Sequence, residues 1–521
     1  MRKFSIVFLF LPSLLYGLGA SNNTAHLKDF AQSGDDVTVV LQHLIDSNRT
    51  VIIDEGVWFL SGEIKLKSNV TIKGINKYKS IIKRKEASHL SRGKMFYTEK
   101  ANTDSYINKD TNDVFHPGMI AYTNICFEDL TFDFNRSPER FTDKQFSHNL
   151  YGIALIHASG SVIRRCRFID NMNEQHHNGA PAVVVYQSSD VQIYNNICDH
   201  LTFIQVVFSN NASVYNNHCV QSVGTAIEFI AGSGHLCRNN RVDKVWWKVS
   251  CIGVNSTKCV VKGNTVHATE GNISCLTLGH EPVLFRADFT VAQKNVLISN
   301  GVRSIIIQNG CGIMVKNNTC SCVINKSAPE MTSGCVVASG RRDGIFDLEI
   351  IDNHLSSTGD GNRGCVTYRG MGHIVIKNNK IVSNRGVNIL SIENCDVEIS
   401  HNEIVSSEYS ICSNSPSITI KKNLLYDGIQ VNSRMIDIRN NHFRYTTHYS
   451  LLGEQWEVVN ISNNLIINAT DKSMPFFFHI NCSNTDSSYN YSHLVVKRNT
   501  YNRDLVKQLL FISGDEEHYN M

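Results

Sequence analysis

The sequence has no marked excess of charge of either sign, since 50 lysines and arginines stand against 47 aspartates and glutamates, a net charge of +3. A protein that binds nucleic acid carries a more basic field, so the balance argues against a nucleic-acid partner. The sequence also lacks CxxC pairs, and the "CSC" at Cys320–Cys322 is too small a set for a metal site. Beyond the first twenty residues it lacks an apolar run of membrane-spanning length, so we expect no membrane span in the mature chain.

The first twenty residues, "MRKFSIVFLFLPSLLYGLGA", combine basic Arg2 and Lys3, an apolar run, and small residues that suit cleavage after Ala20. This pattern is typical of a secretory signal. An uncleaved membrane anchor is the alternative, although the run is barely long enough to span a bilayer. We therefore expect a secreted or periplasmic protein whose fold begins after residue 20.

Sixteen cysteines in an exported chain would ordinarily indicate disulfides. Cys198, Cys219 and Cys320, however, follow asparagine pairs at a position where other repeats have valine, isoleucine or phenylalanine. Cysteine there replaces a core aliphatic residue, which is how a free buried thiol behaves. Four more share one position just before a strand: Cys251, Cys275, Cys335 and Cys365. The pattern favours unpaired buried thiols, with bonds between stacked neighbours as the alternative.

A polar pair that ends in asparagine, or an equivalent of it, recurs about every 25 residues, a period that indicates a solenoid. The last asparagines of these pairs are Asn171, Asn196, Asn217, Asn240, Asn264, Asn295, Asn318, Asn353, Asn379, Asn402, Asn423, Asn441, Asn464 and Asn499. Alternating strands precede the pairs, as in "DVQIYNN", and follow them, as in "TAIEFIA". Asparagine tolerates left-handed dihedrals and can bond the coils above and below, so we interpret the pairs as turns of a parallel β-helix.

Upstream of the repeats, the stretch from Gly34 to Gly74 predicts a helix that starts near Asp35 or Asp36, whose carboxylates suit a helix N-terminus. An apolar helix face could cover the open end of a stack of coils, as solenoid ends require. The residues expected on that face are Val39, Val40, Leu41, Leu44 and Ile45.

This upstream stretch, followed by "ICFEDLTFDFNR" and "NLYGIALIHASGSVIRRCRF", resembles the pectin-lyase-like superfamily, with an N-terminal segment of the pectate-lyase-3 type. The resemblance covers roughly residues 30–500 and implies an all-β, single-stranded right-handed parallel β-helix, a solenoid with an N-terminal capping helix. The expected organisation is a signal peptide at 1–20, a cap with the first strands at 21–75, β-helix coils at 76–500, and a tail or cap at 501–521.

The resemblance implies action on a carbohydrate chain, as by lyases, hydrolases, C5-epimerases, fructotransferases or phage-tail depolymerases. The adjacent aspartates of polygalacturonases occur here only at Asp35 and Asp36, and the aspartate of the mannuronan-epimerase strand is missing from "LYGIALIHAS". No carboxylates on consecutive coils form a convincing set for calcium, so calcium is possible but unsupported and no cofactor is identified.

The strand pattern still indicates where a site would lie, because equivalent residues on neighbouring coils are about 4.8 Å apart. The outward column of the central coils reads Gln205, Glu228, Gly253 and Thr277. Glu228 is its only ionisable member, and Ile227 and Phe229 should point inward by alternation. Desolvation on a groove of uncharged neighbours could raise the pKa of Glu228. The alternative is a solvated glutamate on a polar face.

Inulin fructotransferases of this superfamily have a catalytic glutamate in a "VEL" strand after an "NDN" turn. Here "AIEF" follows "YNN", so Glu228 matches that glutamate, and Asn216 or Asn217 stands where the aspartate would be.

Turns beside this column are rich in residue types found at saccharide sites. Paired tryptophans can stack on sugar rings, although one of the pair could equally be buried. The candidate catalytic residues are Glu228, His280, Glu281 and Asp243. The candidate substrate-binding residues are Trp246, Trp247, Lys248, Lys244, Arg286, Asp199 and His200. His176 and His177, near Glu174, lack a third ligand, so no metal site is predicted.

The sequence therefore predicts an exported β-helix that cleaves glycosidic bonds of a polysaccharide or oligosaccharide, by hydrolysis or by elimination, in a groove around residues 170–290. The alternatives are a non-catalytic carbohydrate-binding or adhesin-like β-helix, and an epimerase or fructotransferase of the same superfamily. The oligomeric state is left open.

Overall fold

The structure is a computed structural model. It describes residues 23–85, 93–99, 117–136, 151–171, 181–199, 203–222, 224–245, 250–269, 274–280, 285–300, 303–324, 333–339, 345–359, 364–390, 394–444, 448, 450–453, 456–467, 474–481, 493–501 and 506–513.

Three parallel sheets run along the molecule, and each coil contributes one strand to each sheet in turn. Sheet 1 contains Thr24–His26, Thr50–Ile53, Thr71–Gly74, Cys126–Glu128, Val162–Arg164, Gln192–Tyr194, Ser213–Tyr215, Leu236–Arg238, Val260–Lys262, Val291–Gln293, Gly310–Lys316, Ile345–Ile351, Gly372–Lys377, Cys395–Ser400, Ser417–Lys421, Met435–Arg439, Val458–Ser462 and His493–Lys497.

Sheet 2 contains Gly56–Leu60, Ser80–Arg84, Thr131–Arg136, Arg167–Asn171, Ile197–Asp199, His218–Gln221, Arg241–Val242, Thr265–Ala268, Val296–Ser299, Thr319–Val323, His354–Thr358, Lys380–Ser383, Glu403–Ser406, Leu424–Leu425, His442–Arg444, Leu465–Ile467 and Thr500–Tyr501.

Sheet 3 contains Ile64–Lys65, Lys94–Tyr97, Tyr151–Ile156, Val183–Tyr186, Ile204–Asn210, Ile227–Ser233, Ser250–Thr257, Ser274–Leu278, Arg303–Ile307, Gly334–Ser339, Gly364–Arg369, Arg385–Ile389, Ile411–Ser413, Ile429–Val431, Ser450–Leu452, Met474–Asn481 and Val506–Ser513. A short pair, Tyr122–Thr123 with Ala158–Ser159, lies beside it, and the helical segments are Leu27–Asp29, Thr38–Ser47 and Pro117–Met119.

Every strand in these sheets pairs with the equivalent strand of the next coil, as Val214 does with Cys237 in sheet 1. Parallel strands joined by crossovers of the usual hand wind into a right-handed parallel β-helix, as the sequence predicts. The side chains that alternate inward fill one continuous core, which holds the edge-to-face ring pair Phe96 and Phe127 and the stacked pair Phe132 and Phe168. The predicted fold class is therefore confirmed.

The asparagine pairs divide two tasks between their members. The first residue takes the left-handed conformation, with φ of 55° at Asn216 and 54° at Asn239. The second bonds its neighbours: the Asn217 Nδ2 donates to the Ile193 carbonyl at 2.9 Å and to the Asn240 Oδ1 at 3.0 Å. These bonds form an unbroken asparagine ladder from Asn196 to Asn499.

The prediction that Asn171 is the first member of the ladder is wrong. Asn171 ends the sheet 2 strand Arg167–Asn171 instead of preceding it. Cys166 holds the equivalent position, and its backbone N–H donates to the Asn196 Oδ1 at 2.8 Å. The ladder begins one coil later because a cysteine has no carboxamide to bond the next coil.

The cysteines behave as the repeat predicts. All those in the described part of the chain are free thiols, and Cys198, Cys219 and Cys320 are buried in the core. Cys251, Cys275, Cys335 and Cys365 are also buried; Cys251 lies in register with Cys275, and Cys335 with Cys365. The interpretation as core residues is confirmed for these seven thiols.

The capping helix spans Thr38–Ser47, and the Asp36 Oδ1 accepts hydrogen bonds from the Thr38 backbone N–H and hydroxyl at 3.2 and 2.7 Å. Leu41, Leu44 and Ile45 join the core and Val40 packs against it. Val39 is wrongly predicted, because it lies on the opposite helix face with 81% of its surface exposed.

At the other end, Thr500–Tyr501 and Val506–Ser513 extend sheets 2 and 3, so the β-helix continues beyond the predicted limit of residue 500. In the described chain we find no helix with the length and apolar character of a membrane span.

Candidate functional site

The outer face of sheet 3 differs from those of the other two sheets. In sheet 1 a strand such as Met435–Arg439 alternates between buried and solvent-accessible residues, whereas all residues of Tyr151–Ile156 and Ser274–Leu278 in sheet 3 are buried. An apolar cluster lies on this outer face and contains Tyr151, Ile156, Val184, Tyr186, Val207 and Ile230, with Phe208 and Phe285 packed against it. On the coils that carry these two strands and this cluster, side chains that point outward from sheet 3 are therefore largely shielded from water.

Glu228 lies on this shielded face. The register places Gln205, Glu228, Gly253 and Thr277 side by side on four successive coils, as the sequence predicts. Ile227 and Phe229, on either side of Glu228, are buried in the core, which confirms that Glu228 points outward.

The carboxyl group of Glu228 has one neutral hydrogen-bond donor, since the Gln205 Nε2 donates to its Oε2 at 3.1 Å. Burial raises the pKa of Glu228 above its ordinary value, while that hydrogen bond and attraction to His280 offset part of the rise. The result is a carboxyl group that holds its proton to a higher pH than a solvated glutamate does, which is a property of general acids.

Two glycines open a notch beside Glu228. Gly253 lies in register between Glu228 and Thr277, and Gly279 lies in register between Asn255 and Gln308. We call this region, formed by Gly253, Gly279, Asn255, Thr277 and Gln308, the glycine notch. Gly279 has φ of 70°, and a Cβ there would meet the Asn309 carbonyl oxygen at 2.0 Å, so the position requires glycine.

Three oxygens of the glycine notch are buried without a hydrogen-bond partner in the described structure: the Asn255 Oδ1, Thr277 Oγ1 and Gln308 Oε1. Asn255 is 7% exposed and Thr277 is 3% exposed. Buried polar atoms are nearly always satisfied in proteins, so these three oxygens on one face mark a place where a water molecule or a polar ligand would complete their hydrogen bonds.

Sequence reasoning missed Asn255 and Gln308 as candidate site residues. Asn255 follows Gly253 by two positions and therefore shares its outward parity. That outward parity was the sequence signal by which Asn255 could have been found.

His280 and Arg286 lie where the chain leaves sheet 3 for sheet 1. The backbone N–H of His280 donates to the Phe285 carbonyl at 2.9 Å, and its exposed side chain attracts Glu228 electrostatically. Arg286 forms an ion pair with Asp288 at 3.0 Å. His280 therefore lies near Glu228, whereas the Arg286 guanidinium is paired with the Asp288 carboxylate.

Asp243 is placed elsewhere. It forms ion pairs with Arg241 at 2.6 Å and with His218 at 2.7 Å, both on the outer face of sheet 2. Burial alone would raise the pKa of Asp243, but hydrogen bonds from Arg241 and His218 hold it below its ordinary value. The Asp243 carboxyl group is therefore ionised and paired on the outer face of sheet 2, apart from Glu228 on sheet 3.

Two predicted binding residues lie at the end of sheet 2. Lys244 is exposed, and its carbonyl accepts a hydrogen bond from the Ser222 backbone N–H at 2.9 Å. Asp199 is the half-buried last residue of Ile197–Asp199. The other candidates lie outside the described residues: His200, Trp246, Trp247, Lys248 and Glu281, with the possible metal ligands Glu174, His176 and His177.

Within the described ranges no three histidine, cysteine, aspartate or glutamate side chains are grouped as a metal site. A cavity of about 880 Å³ lies at a different corner, between the ends of sheet 3 strands and the starts of sheet 1 strands. This cavity begins four coils further along the stack than Glu228. Its lining includes Asp347, His373, Asp396 and Arg434.

Known proteins resemble this chain in architecture. The family model for the right-handed β-helix region matches residues 127–281. No curated protein sequence matches the chain. The right-handed parallel β-helix that the predicted resemblance implies is confirmed.

Three solved structures illustrate the likeness. The A-module of mannuronan C-5 epimerase AlgE6 from Azotobacter vinelandii is 11% identical, with 93% of this chain and 99% of that chain covered and a TM-score of 0.38. DFA-IIIase from Arthrobacter chlorophenolicus A6, in complex with DFA-III, is 12% identical, with 78% and 95% covered and a TM-score of 0.42. The surface adhesin PfbA of Streptococcus pneumoniae is 13% identical, with 89% and 93% covered and a TM-score of 0.36.

Proposed function

We propose that the protein is an exported carbohydrate-active enzyme that cleaves glycosidic bonds on the outer face of sheet 3, with Glu228 as its acid or base. The observation that carries the proposal is the shielded carboxyl group of Glu228, whose pKa is raised by burial and whose Oε2 is held by Gln205. A protonated carboxyl group in such a setting can donate its proton to a leaving glycosidic oxygen.

The surroundings of Glu228 support this chemistry. The hydrogen bond from Gln205 fixes one carboxyl oxygen, so the other oxygen can face a substrate on the same side of the sheet. Enzymes that cleave glycosidic bonds generally combine such an acid with a second carboxylate. The sequence offers Glu281 for that role, since it follows His280, which lies near enough to Glu228 to act on its pKa.

The proposal is tested with Glu228→Gln, which keeps the size and hydrogen bonding of the side chain but removes the titrating proton. Glu349→Gln is the matched control, because Glu349 lies on an outward position of a sheet 1 strand. Turnover of a glycan panel and affinity for the same glycans are measured on the same preparations. We expect Glu228→Gln to lose on the order of 100-fold or more in turnover, with its affinity retained and its melting temperature not lowered.

Near-normal turnover by Glu228→Gln would remove Glu228 from the mechanism. Glycan binding by the wild type without any product would favour the adhesin-like alternative over an enzyme.

A further inference from the structure

We infer that the glycine notch binds a neutral saccharide and not a uronate. The inference rests on the proposed function and narrows it, because elimination and C5-epimerisation both need the carboxyl group of a uronate to acidify the C5 proton. A neutral substrate leaves hydrolysis or glycosyl transfer. In hydrolysis the bond between the anomeric carbon and the bridging oxygen breaks, water supplies a hydroxyl group to that carbon, and a proton goes to the leaving oxygen.

The notch presents acceptors to a ligand. Among the described residues the Asn255 Oδ1, Thr277 Oγ1 and Gln308 Oε1 are buried and have no hydrogen-bond partner, and the two amide oxygens can only accept hydrogen bonds. An unsatisfied buried polar group costs about 1–3 kcal/mol, so a ligand that donates to these atoms gains from satisfying them. The hydroxyl groups of a sugar are such donors.

The spacing of these groups suits a ligand that lies across several coils. Glu228 and Thr277 are two coils apart, about 10 Å by strand spacing, and only Gly253 lies between them. A Cβ at Gly253 would be 3.4 Å from the Glu228 Cγ, so a side chain there would enter the notch. The missing side chain of Gly253 therefore leaves room between Glu228 and Thr277.

The charges of the notch argue against an acidic sugar. A substrate carboxylate would lie beside the Asn255 Oδ1 and the Gln308 Oε1, which carry partial negative charge and cannot donate a hydrogen bond to it. Arg286, a predicted substrate-binding cation, is already paired with Asp288 at 3.0 Å. A uronate would have to break that ion pair to gain its counter-charge.

One wall of the notch is apolar. Ile230 is in register with Asn255, and it belongs to the apolar cluster that also holds Val207 and Phe285. A neutral sugar ring has an apolar C–H face beside its hydroxyl groups. A site with an apolar wall and a few convergent polar groups matches both parts of such a ring.

The test uses Thr277→Val and Asn255→Leu in the full-length protein, against neutral hexose oligosaccharides and uronate oligosaccharides. Each variant replaces an unpartnered polar group by an apolar group of similar shape. We expect the affinity for neutral oligosaccharides to fall about tenfold while the melting temperature is unchanged or raised, since removing a buried orphan is neutral or stabilising. Substitution of a side chain with a purely structural role would instead lower the melting temperature and leave the affinity of the folded protein unchanged.

Asn264→Leu is the matched control, because Asn264 has the same side chain but is fully bonded in the asparagine ladder. It should lose stability and keep its affinity at temperatures where it remains folded. Isothermal titration with the oligosaccharides and thermal melts give both readouts.

The outcomes separate this inference from the proposed function. Binding or cleavage of uronate oligosaccharides in preference to neutral ones overturns the inference and leaves an enzyme on the sheet 3 face intact. Binding of neutral oligosaccharides that Thr277→Val and Asn255→Leu weaken, with no product formed by the wild type, supports the inference and overturns the enzymatic proposal. Absence of binding to either class overturns both.

Discussion

The half-buried carboxyl group of Glu228 links chemistry to stability at the scale of one residue. Its raised pKa means that the folded chain holds this proton more tightly than the unfolded chain. The stabilisation is therefore complete below the unfolded pKa of about 4.3 and is lost as the pH rises through the higher folded value. We expect Glu228→Gln to melt above the wild type at pH 7 to 8, with the difference closing near pH 4.

Thermal melts across this pH range check the prediction, and Glu349→Gln serves as the matched control. A melting difference that stays constant with pH would show that ionisation of Glu228 is not the cause.

The predicted and observed positions of single residues show what local sequence patterns can predict. The outward column around Glu228 was predictable because alternation within strands and the asparagine spacing are both local patterns. The pairing of Asp243 with His218 was not predictable, because Asp243 follows a strand at a corner, where parity ends, and His218 lies on the preceding coil. Three-dimensional contacts of that kind leave no periodic trace in the chain.

At the scale of the repeating element, the two members of an asparagine pair should respond differently to substitution. The Asn318 side chain donates to the Ala292 carbonyl and the Asn353 Oδ1, and its Oδ1 accepts from Asn295. Asn318→Ala removes these bonds in the interior, so we expect a loss of roughly 3 kcal/mol or more in the free energy of unfolding. Denaturant titration measures it.

Asn317→Gly is the control for that experiment. Asn317 takes the left-handed conformation with φ of 55°, which glycine adopts without steric cost. We expect a change within about 0.5 kcal/mol. Equal losses in the two variants would contradict the division of tasks within the pair.

The capping helix shows a second limit of sequence reasoning at this scale. Its existence and its buried face through Leu41, Leu44 and Ile45 follow from apolar spacing. Its exact start was predicted up to three residues early, and Val39 was assigned to the wrong face. The helix face on which a valine lies cannot be assigned until the position of the first helical turn is known. Here the hydrogen bonds of Thr38 to Asp36 set that position.

At the scale of the whole molecule, the buried thiols should be inert in the native protein. Burial raises the pKa of Cys166 and Cys275 to about 12, so almost no thiolate is present at neutral pH. We expect thiol reagents to react slowly until denaturant is added, and reductant to leave the melting temperature unchanged. A clear fall in melting temperature under reductant would reveal disulfides, whose removal typically costs 2–5 kcal/mol.

Export remains a proposal about the whole chain, drawn from the basic and apolar start of the sequence. Expression in a secreting host should yield a mature protein that begins at Ser21, which intact-mass measurement and N-terminal sequencing detect. A secreted or membrane-retained product that keeps Met1 would favour the membrane-anchor alternative.

The asparagine ladder lies at only one of the three corners of each coil, between sheets 1 and 2. Successive ladder residues are 18 positions apart at Asn423 and Asn441 but 35 apart at Asn318 and Asn353, yet the same bonds join both pairs. Insertions and deletions at the other two corners therefore leave the stacking of the coils unchanged. Such a scaffold is highly evolvable, because its lineage can acquire new specificity by lengthening loops around sheet 3 without having to find a new way to fold.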